Sequence, residues 1–321
     1  MTAILTVQNL VKKYGDNIAV KGISFEIMEG EIFSLLGPNG AGKTTTISVL
    51  STLFPPTSGD VLVGGHSVVK DSLAVRNLIG VVPQDLALYD DLTARENLVF
   101  WGQMYGLSGK TLKTRSNEVL EQIGLLDKAN QRIKTFSGGM KRRVNIGVGL
   151  LHKPRLLFMD EPTVGIDPQS RRAILDSVKQ LNEQGMTVLY TTHYMEEAQE
   201  LSNRVGIIDH GEMIALGTQL ELTRQVGEND TLILQLGEGI LSPIDSANAV
   251  ALVNAIRVLV GVKKADITDH SITVIATEAE EILAPVIIKA NEIGVKIRTV
   301  DIQEPNLETV FLSLTGRALR D

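Results

Sequence analysis

The stretch Gly37–Thr45 reads GPNGAGKTT, and no other part of the sequence limits the possible folds as strongly. It matches the pattern G-x-x-x-x-G-K-[ST] through Gly37, Gly42, Lys43 and Thr44. A short apolar run that predicts a buried strand precedes it, and a helical pattern follows it. Because a phosphate-binding loop requires a strand–loop–helix context of this kind, an ordinary glycine-rich turn is the disfavoured alternative.

The residue types of this loop suit phosphate groups. Its glycines, Gly37, Gly40 and Gly42, take backbone angles that other residues resist, so the N–H groups can turn inward toward an anion at the helix N-terminus. Lys43 adds a positive charge for the outer phosphates, and the Thr44 hydroxyl is placed to ligate Mg²⁺. We therefore predict a nucleoside triphosphate site.

Composition limits the classes of protein to which the chain can belong. The chain has 321 residues, enough for two domains, and 43% of them are hydrophobic. Lys and Arg number 31 against 38 Asp and Glu, and the net charge of −7 argues against nucleic-acid binding as the main task. The absence of Cys excludes disulfides and thiolate metal sites, which fits a reducing cytosol. Because neither a signal peptide nor an apolar run of ~18 residues is found, we expect no direct membrane insertion.

Polar residues stand at the ends of several apolar runs that predict buried strands. They are Gln84, the pair Asp160–Glu161, and His193. Since ligands of open parallel sheets bind outside the carboxyl ends of the strands, we expect these side chains to share one site with the phosphate loop. A strand-end Asp can hold Mg²⁺ through its hydration shell, and Glu161 can polarise a water for attack on the terminal phosphate. A purely structural carboxylate pair is disfavoured there, because buried ionised groups need a cation.

Two further candidates each have a structural alternative. Tyr14 could stack on a purine ring or could be a half-buried tyrosine at a strand end, and its position alone leaves both open. Ser137-Gly138-Gly139 precedes a helix predicted over 140–151, and it could bind an anion or simply provide a Ser N-cap. A second phosphate-binding turn would be redundant beside its own loop. Two copies placed head to tail would let each cap the other's nucleotide, so we predict a two-fold dimer with composite sites.

These residues together resemble the nucleotide-binding subunit of ATP-binding cassette (ABC) transporters over residues 1–222. The motifs that carry the resemblance, in the family's order, are GPNGAGKTT, Gln84, FSGGMKRR, LLFMDEP, Gly165-Ile166-Asp167 and His193. The resemblance implies an α/β P-loop NTPase cassette with a mixed sheet core, an antiparallel β subdomain and a helical subdomain at about 90–155. It also implies an ATPase that needs ATP and Mg²⁺ and works as a homodimer on a separate integral-membrane permease. Such a subunit is cytoplasmic and peripheral on the inner face of the cell membrane.

The resemblance further implies roles around the nucleotide. Tyr14 would stack on adenine, and Lys43 would contact the β and γ phosphates. Glu161 would be the general base, and His193 would contact the γ-phosphate. The residues implied at the phosphates are Gly37, Pro38, Asn39, Gly40, Ala41, Gly42, Lys43, Thr44 and Thr45, and those implied at Mg²⁺ are Thr44, Gln84 and Asp160.

Contacts to other chains are implied as well. Asp167 would lie in the loop that crosses the dimer interface, and the loop from Asp85 to about Asn97 would touch the permease. Two residues depart from the family's common pattern: Met140 stands in place of Gln, and Val164 in place of Ser, and both could alter contacts at the dimer interface. The residues implied to complete the partner's site are Ser137, Gly138 and Gly139.

Residues 231–321 are predicted to form a small α+β domain after a polar linker at 223–230. The patterns follow the order β-α-β-β-α-β of a ferredoxin-like sandwich, and Pro285 within the second helix implies a kink or a later start. The closing EPNLETVFLSLTGRAL is similar to the tail of the drug-exporter subfamily. We expect this domain to strengthen or regulate the homodimer, with a mere spacer as the alternative.

The leading hypothesis is therefore an energy-coupling ATPase for export of a drug-like or lipid-like molecule. A soluble cassette ATPase of translation or DNA repair is the alternative, but a single phosphate loop, the lack of long heptad runs and the acidic balance argue against it. A regulatory protein that binds ATP without turnover is a third class, and the presence of both Glu161 and His193 argues against it.

Overall fold

The computed structural model describes residues 2–226, 230–236, 247–268, 271–303 and 306–315. Two compact units divide the chain, one ending at Gln219 and the other beginning at Leu220. Residues 227–229 of the predicted linker, and residues 304–305 and 316–319 of the closing segment, lie outside the described residues.

The first unit alternates strands and helices. In chain order its elements are β1 (Ala3–Tyr14), β2 (Asn17–Met28), β3 (Ile32–Leu36), α1 (Lys43–Leu50), β4 (Ser58–Val63), β5 (His66–Ser67), α2 (Ser72–Leu78), β6 (Ile79–Val82), α3 (Ala94–Met104), α4 (Gly109–Gln122), α5 (Gly138–Leu150), β7 (Leu156–Asp160), α6 (Pro168–Glu183), β8 (Thr187–Thr192), α7 (Met195–Leu201), β9 (Arg204–Asp209) and β10 (Glu212–Gly217).

A six-stranded sheet of order β10-β9-β3-β8-β7-β6 forms the centre of this unit. All of its neighbouring strands are parallel except the β9–β10 pair. Every residue of β3, β7 and β8 is buried, as expected of parallel strands covered on both faces. The carboxyl ends of β3, β8, β7 and β6 therefore meet at one edge, which is where the sequence places the candidate residues.

The other layers complete the predicted cassette. A second, antiparallel sheet of order β2-β1-β4-β5 shares a hydrophobic core with one side of the central sheet, and Phe25 and Phe33 stack across it at 5.2 Å. Helices α3, α4 and α5 contribute to the core on the other side, through residues such as Leu98, Val119 and Val144. The predicted mixed sheet, antiparallel subdomain and helical subdomain are confirmed.

Some element bounds differ from the predicted ones. Helix α5 begins at Gly138, not at residue 140, because the Ser137 hydroxyl accepts the Met140 N–H at 3.3 Å and caps the helix. Helix α6 was not predicted, although its start carries two recognised signals: Asp167 is the N-cap and Pro168 occupies the first turn.

The second unit contains β11 (Asp230–Leu236), α9 (Ala247–Arg257), β12 (Val262–Thr268), β13 (Ser271–Ala276), α10 (Ala279–Ile293), β14 (Ile297–Gln303) and α11 (Leu307–Thr315), after α8 (Gln219–Val226) at the boundary. Its sheet has the order β12-β13-β11-β14 and is antiparallel throughout, as in a ferredoxin-like sandwich. Helices α9 and α10 cover one face, where Leu234 and Val274 share a core with Leu252 and Val286. Helix α10 starts ahead of Pro285, so the later start considered for it is wrong.

Across the described ranges, none of the helices combines the length and the apolar character needed to span a bilayer.

The contact between β6 and α5 gives a test of the fold. A Cβ on Gly80 would lie 2.2 Å from the Gly149 carbonyl oxygen, which is backbone and can yield only if the helix moves. We expect Gly80→Ala to lower the free energy of unfolding by about 1–3 kcal/mol in chemical denaturation. Gly138→Ala is the matched control, since its Cβ would meet only Ile166 Cδ1 at 3.5 Å, an ordinary contact. Equal stability of the two variants would contradict this packing.

Candidate nucleotide-binding site

The phosphate loop needs glycine for two different reasons. Gly40 and Gly42 have φ angles of 80° and 109°, in the region that favours glycine. Gly37 has no such angle, contrary to expectation. Instead, a Cβ on Gly37 would lie 2.2 Å from the Ile208 carbonyl oxygen, so close approach of β9 excludes a side chain.

Lys43 lies at the centre of this loop, with 4% of its surface exposed. Its ammonium donates to the carbonyl oxygens of Gly37 at 2.7 Å and Pro38 at 3.0 Å. It also forms a 2.9 Å ion pair with Glu161 Oε1. The curled backbone therefore holds the positive charge in place beside the first residue after β7.

Glu161 is held by three neighbours. Besides Lys43, its Oε2 lies 3.2 Å from His193 Nδ1, and its backbone N–H donates to Thr191 Oγ1 at 3.0 Å. Its φ of 44° lies in the left-handed region, which costs a residue other than glycine about 1–3 kcal/mol. Residues in such strained conformations cluster at functional sites. The residue is 5% exposed. This geometry turns its carboxylate toward the loop and the histidine.

Asp160 lies just before it and is also buried. Its Oδ1 accepts a 2.7 Å hydrogen bond from Thr191 Oγ1. Burial raises the pKa of Asp160, while hydrogen bonds from the hydroxyls of Thr191 and Thr44 act in the opposite direction. A buried carboxylate with a raised pKa is suited to a cation that would favour its ionised form.

The oxygen donors here fit Mg²⁺. Asp160 supplies a carboxylate, Thr44 a hydroxyl and Gln84 an amide oxygen, all of which are hard ligands that Mg²⁺ accepts. Within the described ranges, no group of three or more His, Asp or Glu side chains is arranged to bind a metal. Because Mg²⁺ takes near-octahedral oxygen coordination, an ion held by these three side chains would also need phosphate oxygens or water as ligands.

A cavity of about 550 Å³ opens beside these residues. Tyr14 forms part of its wall with 43% of its surface exposed, and its ring meets Phe54 edge-on at 6.2 Å. Tyr14 is also the last residue of β1, so it is both a strand-end tyrosine and a cavity residue. The cavity is lined by Tyr14, Asn17, Ile18, Ala19, Lys21, Asn39, Gly40, Gly42, Lys43, Thr44, Thr45, Gln84, Glu161 and His210.

The turn Ser137-Gly138-Gly139 and Asp167 are not among the described residues that line this cavity. Ser137, Gly138 and Asp167 are exposed, and they belong to two adjoining helix starts. A Cβ on Gly139 would lie 2.4 Å from the Ser170 side chain, while Asp167 Oδ1 accepts the Ser170 N–H at 2.9 Å. Ser137, Gly138 and Asp167 therefore form one exposed patch, while Gly139 is buried beside Ser170.

A buried carboxylate near the site was missed at the sequence level. Glu197, 2% exposed on α7, accepts hydrogen bonds from the hydroxyls of Thr163, Tyr190 and Thr192 at 2.7, 3.0 and 2.8 Å. No local pattern separates it from the exposed Glu196 beside it. Only the packing of α7 against β8 does so. His210, which lines the cavity from the turn after β9, was also missed.

The chain is similar to known proteins over nearly its whole length. The family model described as ABC transporter matches residues 20–164. The linearmycin resistance ATP-binding protein LnrL of Bacillus subtilis is 52% identical over 99% of this chain and 100% of its own length. The daunorubicin resistance ATP-binding protein DrrA3 of Streptomyces coeruleorubidus is 38% identical over 97% of this chain and 96% of its own.

A solved structure gives the same fold. A dimeric ATP-binding cassette in a post-hydrolysis state, bound to ADP and Pi, is 30% identical with a TM-score of 0.60. The similarity covers 67% of this chain and 98% of that one.

The raised pKa of Asp160 predicts a pH-dependent stability. An acid whose pKa is higher in the folded state binds more protons when folded, so stability falls as pH rises from the ordinary 3.8 through the raised value. At pH values above the raised pKa, Asp160→Asn should remove the free-energy cost of keeping an ionised carboxylate buried. Without nucleotide or Mg²⁺, we expect the variant to melt at a higher temperature than the parent at about pH 7.5, with the gain shrinking toward about pH 4.

Thermal unfolding across this pH range measures the effect. Asp16→Asn, at an exposed position, is the matched control, and it should melt within about 1 °C of the parent at pH 7.5 because surface substitutions change stability little. An Asp160→Asn variant that melts at or below the parent's temperature at neutral pH would contradict the prediction.

Proposed function

This chain belongs to the ABC transporter family as an ATP-hydrolysing subunit of an exporter, and we propose that it drives export of a drug-like or lipid-like molecule through a separate permease. The observation that carries the proposal is the convergence of Lys43, Asp160, Glu161 and His193 at the carboxyl ends of β3, β7 and β8. The cargo class is supported by relatives named for linearmycin and daunorubicin resistance, which match this chain over nearly its whole length. A soluble non-transport ATPase is not favoured.

Glu161 is the proposed general base. An outer phosphate at the loop competes with Glu161 Oε1 for the Lys43 ammonium, which lies 2.9 Å away. Glu161 then accepts a proton from water as the water oxygen bonds to the terminal phosphorus and the bond to the ADP oxygen breaks. His193, hydrogen-bonded to the other oxygen of Glu161, keeps the carboxylate oriented and contacts the γ-phosphate.

Two further groups complete the proposed nucleotide site. Thr44, Gln84 and Asp160 would hold Mg²⁺, which when bound neutralises phosphate charge. The exposed ring of Tyr14 would stack on adenine, and Lys12 Nζ lies 5.0 Å from the ring centroid. The loop residues Gly37–Thr45 would surround the phosphates.

The dimer is proposed from the exposed patch formed by Ser137, Gly138 and Asp167. A helix N-terminus with free N–H groups attracts an anion, yet this one does not line its own protomer's cavity. A second copy related by a two-fold axis would bring Ser137, Gly138 and Gly139 to that cavity, with Asp167 at the interface. The dimeric arrangement of a cassette that is 30% identical supports this.

The remaining contacts are proposed by position. The loop from Asp85 to about Asn97, where Leu86 and Tyr89 are exposed, would touch the permease and so keep the subunit on the inner face of the membrane. Residues 1–222 would carry ATP turnover, and the small α+β domain over 231–321 would strengthen or regulate the dimer.

The proposed base is tested by two substitutions. Glu161→Gln keeps the shape of the side chain but cannot take a proton, so turnover should fall about 10²–10⁴-fold while ATP still binds. Lys43→Ala removes the charge at the loop and should abolish ATP binding. Phosphate release and equilibrium ATP binding separate the two effects. Turnover by Glu161→Gln at the parent's rate would overturn its assignment as base.

The composite site is tested by mixing two inactive variants, Lys43→Ala and Gly138→Glu. The first damages the loop half of a site, and the second places a carboxylate in the SGG half. In a head-to-tail heterodimer both lesions fall in one site and the other site is intact, so random mixing should restore about a quarter of the parent's ATPase rate. Mixing Lys43→Ala with Glu161→Gln is the control, since it leaves no intact site. A Lys43→Ala and Gly138→Glu mixture that stays inactive would show that SGG does not act across the dimer.

A further inference from the structure

The buried carboxylate of Glu197 has no part in the hydrolysis steps above, yet both of its oxygens are bonded. Oε1 accepts from Thr163 Oγ1 at 2.7 Å. Oε2 accepts from Tyr190 Oη at 3.0 Å and from Thr192 Oγ1 at 2.8 Å. All three donors are buried hydroxyls, and desolvating a carboxylate is tolerated only when such bonds compensate it.

Two of these donors flank the residues that handle the terminal phosphate. Thr163 follows Glu161 by two positions, and Thr192 immediately precedes His193. The Glu197 side chain on α7 therefore links two segments: the one that follows β7 and the end of β8. The 3.2 Å contact between His193 and Glu161 spans the same two segments.

Glu197 is also connected to the start of α6. Arg171 Nε lies 3.6 Å from Glu197 Oε1, and the Arg171 guanidinium lies 4.3 Å from the Tyr194 ring centroid. The Tyr194 ring is in turn 4.2 Å from the His193 ring. Arg171 belongs to the first turn of α6, whose N-cap is Asp167.

We propose that Glu197 is a positioning residue for ATP hydrolysis, which fixes His193 against Glu161 and ties that contact to the start of α6. The proposal rests on the proposed function of Glu161 and His193. A carboxylate is suited to the task because it accepts hydrogen bonds at both oxygens. An amide at this position would turn an N–H₂ donor toward one of the hydroxyls and lose one side of the link.

The first test is Glu197→Gln, with Glu196→Gln as the matched control on the exposed side of the same helix. We expect the Glu197 variant to lower kcat about tenfold or more, because a hydrogen bond to a buried charge is lost. Its KM for ATP should stay within about twofold, since the phosphate loop is untouched. The Glu196 variant should match the parent in both constants.

The second test remains informative if Glu197→Gln folds poorly. Thr192→Val removes one donor and should lower kcat, whereas Thr192→Ser keeps the hydroxyl and should restore it to within about twofold of the parent. The double variant Glu197→Gln/Thr192→Val should lose no more than the larger single loss, because both changes break one link.

The outcomes distinguish this proposal from the one on which it rests. If Glu161→Gln loses turnover while Glu197→Gln keeps the parent's kcat, only the positioning role is overturned. Equal losses for Thr192→Val and Thr192→Ser, or additive losses in the double variant, also overturn it. If Glu161→Gln keeps full turnover, the proposed function itself fails.

Discussion

The structure of the site depends on one buried ion pair, between Lys43 and Glu161. Both residues are almost fully buried, with 4% of the surface of Lys43 and 5% of that of Glu161 exposed. A buried pair is tolerated only when further hydrogen bonds compensate the loss of hydration, and breaking one costs about 3–5 kcal/mol. Here the carbonyl oxygens of Gly37 and Pro38 serve the ammonium, and His193 serves the carboxylate. The pair therefore requires a curled loop and three strand ends in fixed positions.

The central sheet provides those positions. Strand β8 lies between β3 and β7, with Leu36 opposite Thr192 and Asp160 opposite Thr191. A slip of one residue would turn every side chain of a strand to the other face, so this register decides whether Glu161 meets both Lys43 and the histidine. The apolar packing of strands buried on both faces also offsets the strain of the left-handed backbone at Glu161.

Features that depend on short stretches of sequence could be predicted, whereas contacts between distant parts of the chain could not. The phosphate loop and the strand-end positions of Asp160 and His193 follow from short patterns, and the fold that they imply is confirmed. Three features arise from contacts between residues that are far apart in the chain. They are the close approach that excludes a side chain at Gly37, the buried hydrogen bonds of Glu197, and the position of His210 at the cavity. Helix α6 could have been predicted from its Asp-Pro start, because that cap is itself a local signal.

We propose that Lys43 exchanges the Glu161 carboxylate for a phosphate oxygen when ATP binds and so releases the proposed base. A crystal structure with Mg²⁺ and a non-hydrolysable ATP analogue would show whether this exchange takes place. We expect Lys43 Nζ at about 3 Å from an outer phosphate oxygen, and Glu161 Oε1 beyond hydrogen-bond distance of Lys43 and next to a water in line with the terminal phosphorus. A bound analogue with the Lys43–Glu161 pair still closed would contradict it.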